Sequence, residues 1–200
     1  MKSDPSVKFC SGVGNVTGAN FLLQHNDIQI LIDCGLIQGE RVASEENKKA
    51  FPYNPSGIHA LCITHAHLDH VGRIPKLVKE GFRGVIYSTA QTRALAELVL
   101  NDAVNILNAE ANQEGYEPLY DSTDVQAVFP LWQTLDYHQE LEIANGVSIY
   151  LKDAGHILGS SMIEVRISND KNNYNVQLPT IQQPINDKKD TKNTIKIVFT

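Results

Sequence analysis

Cysteine is scarce in this chain: Cys10, Cys34 and Cys62 are the only three in 200 residues. No two of them form a C-x-x-C pair, and each lies in or beside an apolar, strand-like run. This predicts three reduced, buried small side chains rather than a disulfide framework, and it suits a reducing cytoplasm. Long hydrophobic runs are also missing; none approaches the roughly 20 residues of a membrane span. The opening Met-Lys-Ser-Asp-Pro-Ser is polar, so no signal peptide is expected. Nor is there an excess of basic charge. Seventeen Lys and Arg against 23 Asp and Glu give a formal charge of −6 and a pI near 5.6. A generally basic nucleic-acid coat is thereby excluded, although a local positive track is not. No internal repeat is visible. What remains is ordinary for a soluble protein: 42 % apolar and 20 % charged residues, in a length that suits one domain or one domain and part of another.

Short β-type runs open the chain. Val7 to Cys10 is followed by a glycine-rich loop, Ser11 to Gly18, then by runs at Ala19 to Gln24 and Gln29 to Cys34 with a His-Asn-Asp turn between them. Gly39 to Gly57 reads as a loop around a short helix. Ala60 to Thr64 reads as a buried strand. Arg73 to Glu80 has helical spacing that stops at Gly81, and Val85 to Tyr87 is strand-like. Ser88 and Gln91 suggest a capping box for a long helix reaching about Asn112, with Leu95, Leu98, Val99, Asp102, Ile106 and Leu107 tracking its inner side and Asp102 the exception in that row. A shorter helix is predicted over Thr123 to Leu131, and strands at Val147 to Leu151, Met162 to Ile167 and Ile195 to Thr200. Residues 168 to 194, rich in Asn, Asp, Gln and Lys, read as an exposed loop. Sheets interleaved with helices in this order predict an α/β fold.

The chemistry is concentrated in Thr64 to His70, Thr-His-Ala-His-Leu-Asp-His, which holds three of the seven histidines. His65, His67, Asp69 and His70 are imidazole and carboxylate donors suited to zinc and similar divalent ions. His65 and His67, two apart on an extended backbone leaving a strand, point the same way and can grip one ion. Asp69 and His70 come later and are expected to face a second position, on a loop at a strand end. A third ligand for the first ion is best supplied by His156 in Asp-Ala-Gly-His-Ile-Leu-Gly-Ser, where Gly155 and Gly159 permit close backbone approach. His25, His59 and His138 have no comparable company and read as surface or structural residues. Asp33 ends an apolar strand. It either accepts hydrogen bonds from a ligand histidine or a loop, or faces solvent.

These words together carry a resemblance. Thr-His-Ala-His-Leu-Asp-His resembles the H-x-H-x-D-H signature of the metallo-β-lactamase superfamily. Val-Thr-Gly-Ala-Asn, Leu-Ile-Asp-Cys-Gly-Leu-Ile-Gln-Gly, His-Leu-Asp-His-Val-Gly-Arg-Ile-Pro-Lys-Leu and Asp-Ala-Gly-His-Ile-Leu-Gly-Ser resemble its nucleic-acid-processing β-CASP branch. The likeness is to the prokaryotic RNA-processing exonuclease and cleavage-factor-like group. It implies a four-layer αββα sandwich and two-zinc hydrolysis of phosphodiester bonds in RNA. His65, His67 and His156 would hold the first zinc; Asp69 and His70 would hold the second. Asp69 would also orient the attacking water, and Asp33 would support the site.

The resemblance also sets expectations about what lies beyond Thr200. Family members continue the last strand into a Gly-Asp whose carboxylate bridges the metals, then into the β-CASP domain and a late zinc ligand. Residues 1 to 200 are therefore expected to be the N-terminal metal-binding part of a longer cytoplasmic ribonuclease. The domain would be incomplete at its C-terminus, hold one zinc or none firmly, and have little activity alone. The strand Ile195 to Phe199, if unpaired, would favour a homodimer. Two rival functions stand beside this one: a small-molecule hydrolase of the thioesterase or lactonase type, and a non-catalytic RNA-processing scaffold.

Overall fold

A computed structural model describes residues 4–39, 41–115, 117–168 and 194–199. The chain forms β1 (Ser6–Ser11), β2 (Asn20–His25), β3 (Ile28–Ile32), α1 (Arg41–Lys48) and β4 (Ala60–Cys62). Then come α2 (Leu68–Val71), α3 (Ile74–Lys79), β5 (Val85–Ser88), α4 (Ala90–Glu114) and α5 (Ser122–Gln126). The remaining strands are β6 (Trp132–Thr134), β7 (Glu140–Ala144), β8 (Val147–Asp153), β9 (Ser161–Ser168) and β10 (Thr194–Phe199).

Two sheets result. The first has the order β1-β2-β3-β4-β5-β6, antiparallel through β3 and parallel from β3 to β6. Each parallel step needs a crossover, and helices supply it on one face of the sheet. The second sheet is wholly antiparallel, in the order β10-β9-β8-β7. Strand periodicity sends alternate residues to opposite faces. Leu22, Leu31, Leu61 and Ile63 face the helices, where they meet Ile74, Leu77, Phe82 and Leu100. Leu23, Ile30, Ile32 and Cys62 face the second sheet and pack on Ile149, Leu151, Ile163 and Val165. Burial on both faces explains why β3 and β4 read as continuous apolar runs. Among the described residues this makes three of the four expected layers. No described helix is long and apolar enough to cross a membrane.

Several local expectations change. The cap of α4 is Thr89, whose Oγ1 accepts from Thr92 N, and not Ser88. Ser88 is buried at the end of β5, where its hydroxyl donates to the Thr89 carbonyl and accepts from Trp132 Nε1. The inner side of α4 is Ala96, Leu100, Ala103, Val104 and Ala111, with Leu95, Val99 and Leu107 at its border. Leu98 and Ile106, expected inside, are 69 % and 52 % exposed. The helix expected over Thr123 to Leu131 is α5 followed by a separate single turn at Phe129–Leu131. β6 and β7 are additional strands. Cys34 and Cys62 are buried and Cys10 is half-buried; all three are free thiols. Burial pushes the Cys34 thiol up to about 12, so it stays protonated at neutral pH. β10 is hydrogen-bonded to β9 and turns Ile195, Ile197 and Phe199 toward the core, so it is not the wholly unpaired strand that the dimer argument required. The expected loop lies outside the described residues, apart from its ends, Ser168 and Thr194, which belong to β9 and β10.

Candidate metal centre

The site forms at the carboxyl ends of β3 and β4, the usual place for ligands in open α/β sheets. After β3 the backbone turns sharply at Asp33, whose φ of 57° is one of three positive values among the described non-glycine residues. Asp33 N donates to Cys62 O, and the Asp33 carbonyl accepts from Asn20 Nδ2 at 2.7 Å. The loop beyond Asp33 is then stitched to α2. Cys34 N donates to His70 O, Leu36 N to Leu68 O, and Arg73 N to Cys34 O. A Cβ on Gly35 would collide with the Asp69 carbonyl, so only glycine allows this close approach. Asp69 and His70 therefore sit on a braced helical turn, where a loop was expected.

His67 is the residue before α2 and its side chain makes no capping bond. Its ring is instead turned toward two other imidazoles. His65 Nε2 lies 3.1 Å from His67 Nδ1, and His156 Nε2 lies 3.2 Å from the same atom. One ligand atom from each of the three falls within 4.8 Å of the others. Imidazole nitrogens bound to one tetrahedral zinc at ~2.0–2.1 Å lie ~3.3 Å apart, so both separations from His67 Nδ1 fit the spacing such an ion requires. His65 is buried, while His67 and His156 are exposed, which leaves the open side toward solvent. Burial, and then the charges that His70, His67 and His156 would carry, bring the pKa of His65 down to about 3. It is neutral at physiological pH, with a lone pair to offer.

Behind this triad is a buried carboxylate. Asp33 is 1 % exposed, which answers the choice between a paired and a solvent-facing residue. Its Oδ1 accepts from Thr64 N at 2.8 Å, and its Oδ2 accepts from Thr64 Oγ1 and from His70 Nδ1, each at 2.7 Å. A hydrogen bond on Nδ1 leaves His70 Nε2 as the ligating atom. Burial opposes protonation of His70, but the Asp33 hydrogen bond and the charges of Asp33 and Asp69 outweigh it and raise its pKa. His70 Nε2 is 3.7 Å from Asp69 Oδ2, and the His70 ring lies 3.9 Å from that of His65. His25, His59 and His138 lie elsewhere. His25 is buried at the end of β2, His59 accepts from Gln29 N, and His138 packs against Tyr150.

A family model for the metallo-β-lactamase superfamily domain matches residues 22–193. The chain belongs to the metallo-β-lactamase superfamily. Among curated relatives of this superfamily member, a ribonuclease of Thermus thermophilus is 37 % identical over 148 residues, covering 74 % of this chain and 32 % of the relative. Transcription termination factor FttA of Cenarchaeum symbiosum is 33 % identical over 175 residues, covering 86 % and 26 %. The chain thus spans about a third or less of the length of these relatives. Among solved structures, the β-lactamase of Chitinophaga pinensis aligns with a TM-score of 0.51 at 16 % identity, covering 99 % of this chain and 62 % of that one. The metallo-β-lactamase SMB-1 gives a TM-score of 0.50 at 14 % identity, covering 99 % and 64 %. At these identities the likeness concerns the fold alone.

Thr64 and Ser160 are the site residues that sequence reasoning passed over. Thr64 Oγ1 touches Asp33, His65 Nδ1 at 3.0 Å and His70 Nδ1 at 3.3 Å. Ser160 Oγ accepts from His156 N and Ile157 N. Both stand inside the quoted motifs of this superfamily member, but hydroxyls that hold ligands give no ligand signal of their own.

Proposed function

We propose that this chain is the metal-binding part of a zinc-dependent RNA hydrolase of the β-CASP branch. The observation that carries the reading is the convergence of three imidazole nitrogens from residues 65, 67 and 156 at 3.1 and 3.2 Å. The similarity to a ribonuclease and to transcription termination factors supports RNA as the substrate. His65, His67 and His156 would hold one zinc, and Asp69 and His70 would supply two donors to a second. Bound zinc supplies a Lewis acid for phosphate oxygens and makes water nucleophilic at neutral pH.

The chain's own residues do the rest. Asp33 and Thr64 fix the ring of His70, and Asp69 accepts a hydrogen bond from the attacking water and so aims it. The acidic net charge requires that the positive track for RNA be local or come from the remainder of a longer protein. The whole protein would act in the cytoplasm. With three donors at the histidine triad against two at Asp69 and His70, one ion would be bound more firmly than a second.

Zinc titration of the purified chain tests the ligand set: one tight ion is expected, and two equally tight ions would overturn the ordering. Cleavage tests the activity. The longer protein is expected to cut RNA and not a thioester, and His67→Ala is expected to abolish cutting. Unchanged RNA cleavage in that variant would mean that the cutting does not come from this site, and would favour a scaffold in place of an enzyme.

A further inference from the structure

His156 comes from a loop between β8 and β9, on the opposite sheet from the other two histidines of the triad. Several of the loop's hydrogen bonds are internal. Ala154 N donates to Ser160 O, Ser160 N to Ile157 O, and Gly155 N to Asp153 Oδ1. Such bonds shape the loop without fixing where it stands relative to His65 and His67. Its location is set from outside. Ser161 N donates to Thr64 O at 2.8 Å, Tyr137 Oη donates to Ser160 O at 2.8 Å, and the third anchor lies at the start of α4.

That anchor is a pair of hydroxyls on one carbonyl. Thr89 Oγ1 and Thr92 Oγ1 donate to Gly159 O at 2.7 and 2.8 Å, and all three residues are buried. A carbonyl has two lone pairs, and here both are taken. Thr89 Oγ1 is itself fixed because it caps α4 through Thr92 N. Gly159 has a φ of 82°, and a Cβ there would come within 2.7 Å of Thr89 Oγ1 and of Thr92 N. The close approach that glycine permits is thus used for this clamp.

We propose that Thr89 and Thr92 are positioning residues for metal binding: by gripping Gly159 O they hold the loop so that His156 Nε2 meets His67. The inference rests on His156 being a ligand of the first ion. Its consequence is that the cost of assembling the third ligand is met before metal arrives. Loss of a hydroxyl therefore lowers metal affinity while the fold and the other two histidines stay as they are.

The test is zinc affinity of the purified chain by calorimetry, with the visible absorption of the cobalt-substituted chain as a report on ligand geometry. Thr92→Val keeps the shape and removes one donor. About tenfold weaker zinc binding and a changed cobalt spectrum are expected, since outer partners of metal ligands typically contribute 10- to 100-fold. Thr92→Ser is expected to restore both. Thr89→Asp keeps a good helix cap but sets an acceptor against Gly159 O, so it should weaken zinc likewise. If Thr92→Val does not fold, Thr89→Asp carries the test. His156→Ala separates the two failures. If it leaves zinc affinity unchanged, the ligand assignment is wrong; if it weakens zinc while folded Thr92→Val and Thr89→Asp do not, the clamp is wrong.

Discussion

Asp33 holds its place by two demands that few residues meet together. Its backbone occupies the left-handed region, with φ 57°, which Asn and Asp tolerate better than other non-glycine residues. Its buried carboxylate binds three donors, from Thr64 N, Thr64 Oγ1 and His70 Nδ1. Asp33→Asn satisfies the first demand and removes the charge, so it isolates the electrostatic part. Without the Asp33 carboxylate, only the charge of Asp69 is left to raise the His70 pKa, and the ring is oriented less firmly. Binding of the second ion should fall by about 10- to 100-fold, with less effect on the first. Calorimetric titration with two metal equivalents checks this, and equal loss at both sites would contradict it. The candidate ligands stood out in the sequence because imidazoles and carboxylates so densely packed have few other uses. Thr64 was not, since a hydroxyl acquires its role from the carboxylate that β3 brings to it across 31 positions.

Elements show where periodicity alone falls short. Leu95, Leu98, Val99, Ile106 and Leu107 make a plausible apolar stripe along α4, but the buried row is Ala96, Leu100, Ala103, Val104 and Ala111. Small alanines let α4 lie close to the sheet, and side-chain size is invisible to a count of large apolar residues. Leu100→Ala should therefore cost about 2–5 kcal/mol and Leu98→Ala no more than about 0.5 kcal/mol, as read from urea unfolding. Comparable losses would restore the stripe.

The second sheet offers a pH test. Glu164 is buried on its outer face between Lys152 and Arg166, each at 2.6 Å. Burial alone would raise its pKa, but the hydrogen bonds and charges of Lys152 and Arg166 outweigh it and hold it below the usual 4.5. A carboxylate with a depressed folded-state pKa contributes stability above its unfolded-state value and loses it as pH falls through the folded one. Stability should thus decline below pH 4.5, and Glu164→Gln should shrink that decline. Unfolding midpoints taken from about pH 6 to about pH 3 decide it. The order of elements was largely legible, because apolar runs and glycine breaks are local. β6 and β7 were not, being short and half polar, with Gln133, Thr134, Glu140 and Glu142 in their number.

At the scale of the whole molecule, the proposed metal centre would join two sheets that meet through apolar packing and through the hydrogen bond from Ser161 N to Thr64 O. His65 and His67 follow β4 of the first sheet, and His156 follows β8 of the second. An ion held by all three ties these layers together in the native state, and the unfolded chain has no such preformed site. Zinc should then stabilise folding by mass action, by about 2.7 kcal/mol at a free concentration 100 times the dissociation constant. For a chain of this size each kcal/mol moves the midpoint by about 2–4 °C, so chelation should lower Tm by ~5–11 °C. The direction follows from the geometry alone, but the comparison of variants carries the argument. A staple needs both ends, so His156→Ala and His67→Ala should each remove most of the zinc-dependent shift while leaving the chelated Tm near that of the parent chain. If His156→Ala kept the full shift, the ion would be held by the first sheet alone, and the two layers would owe nothing to it.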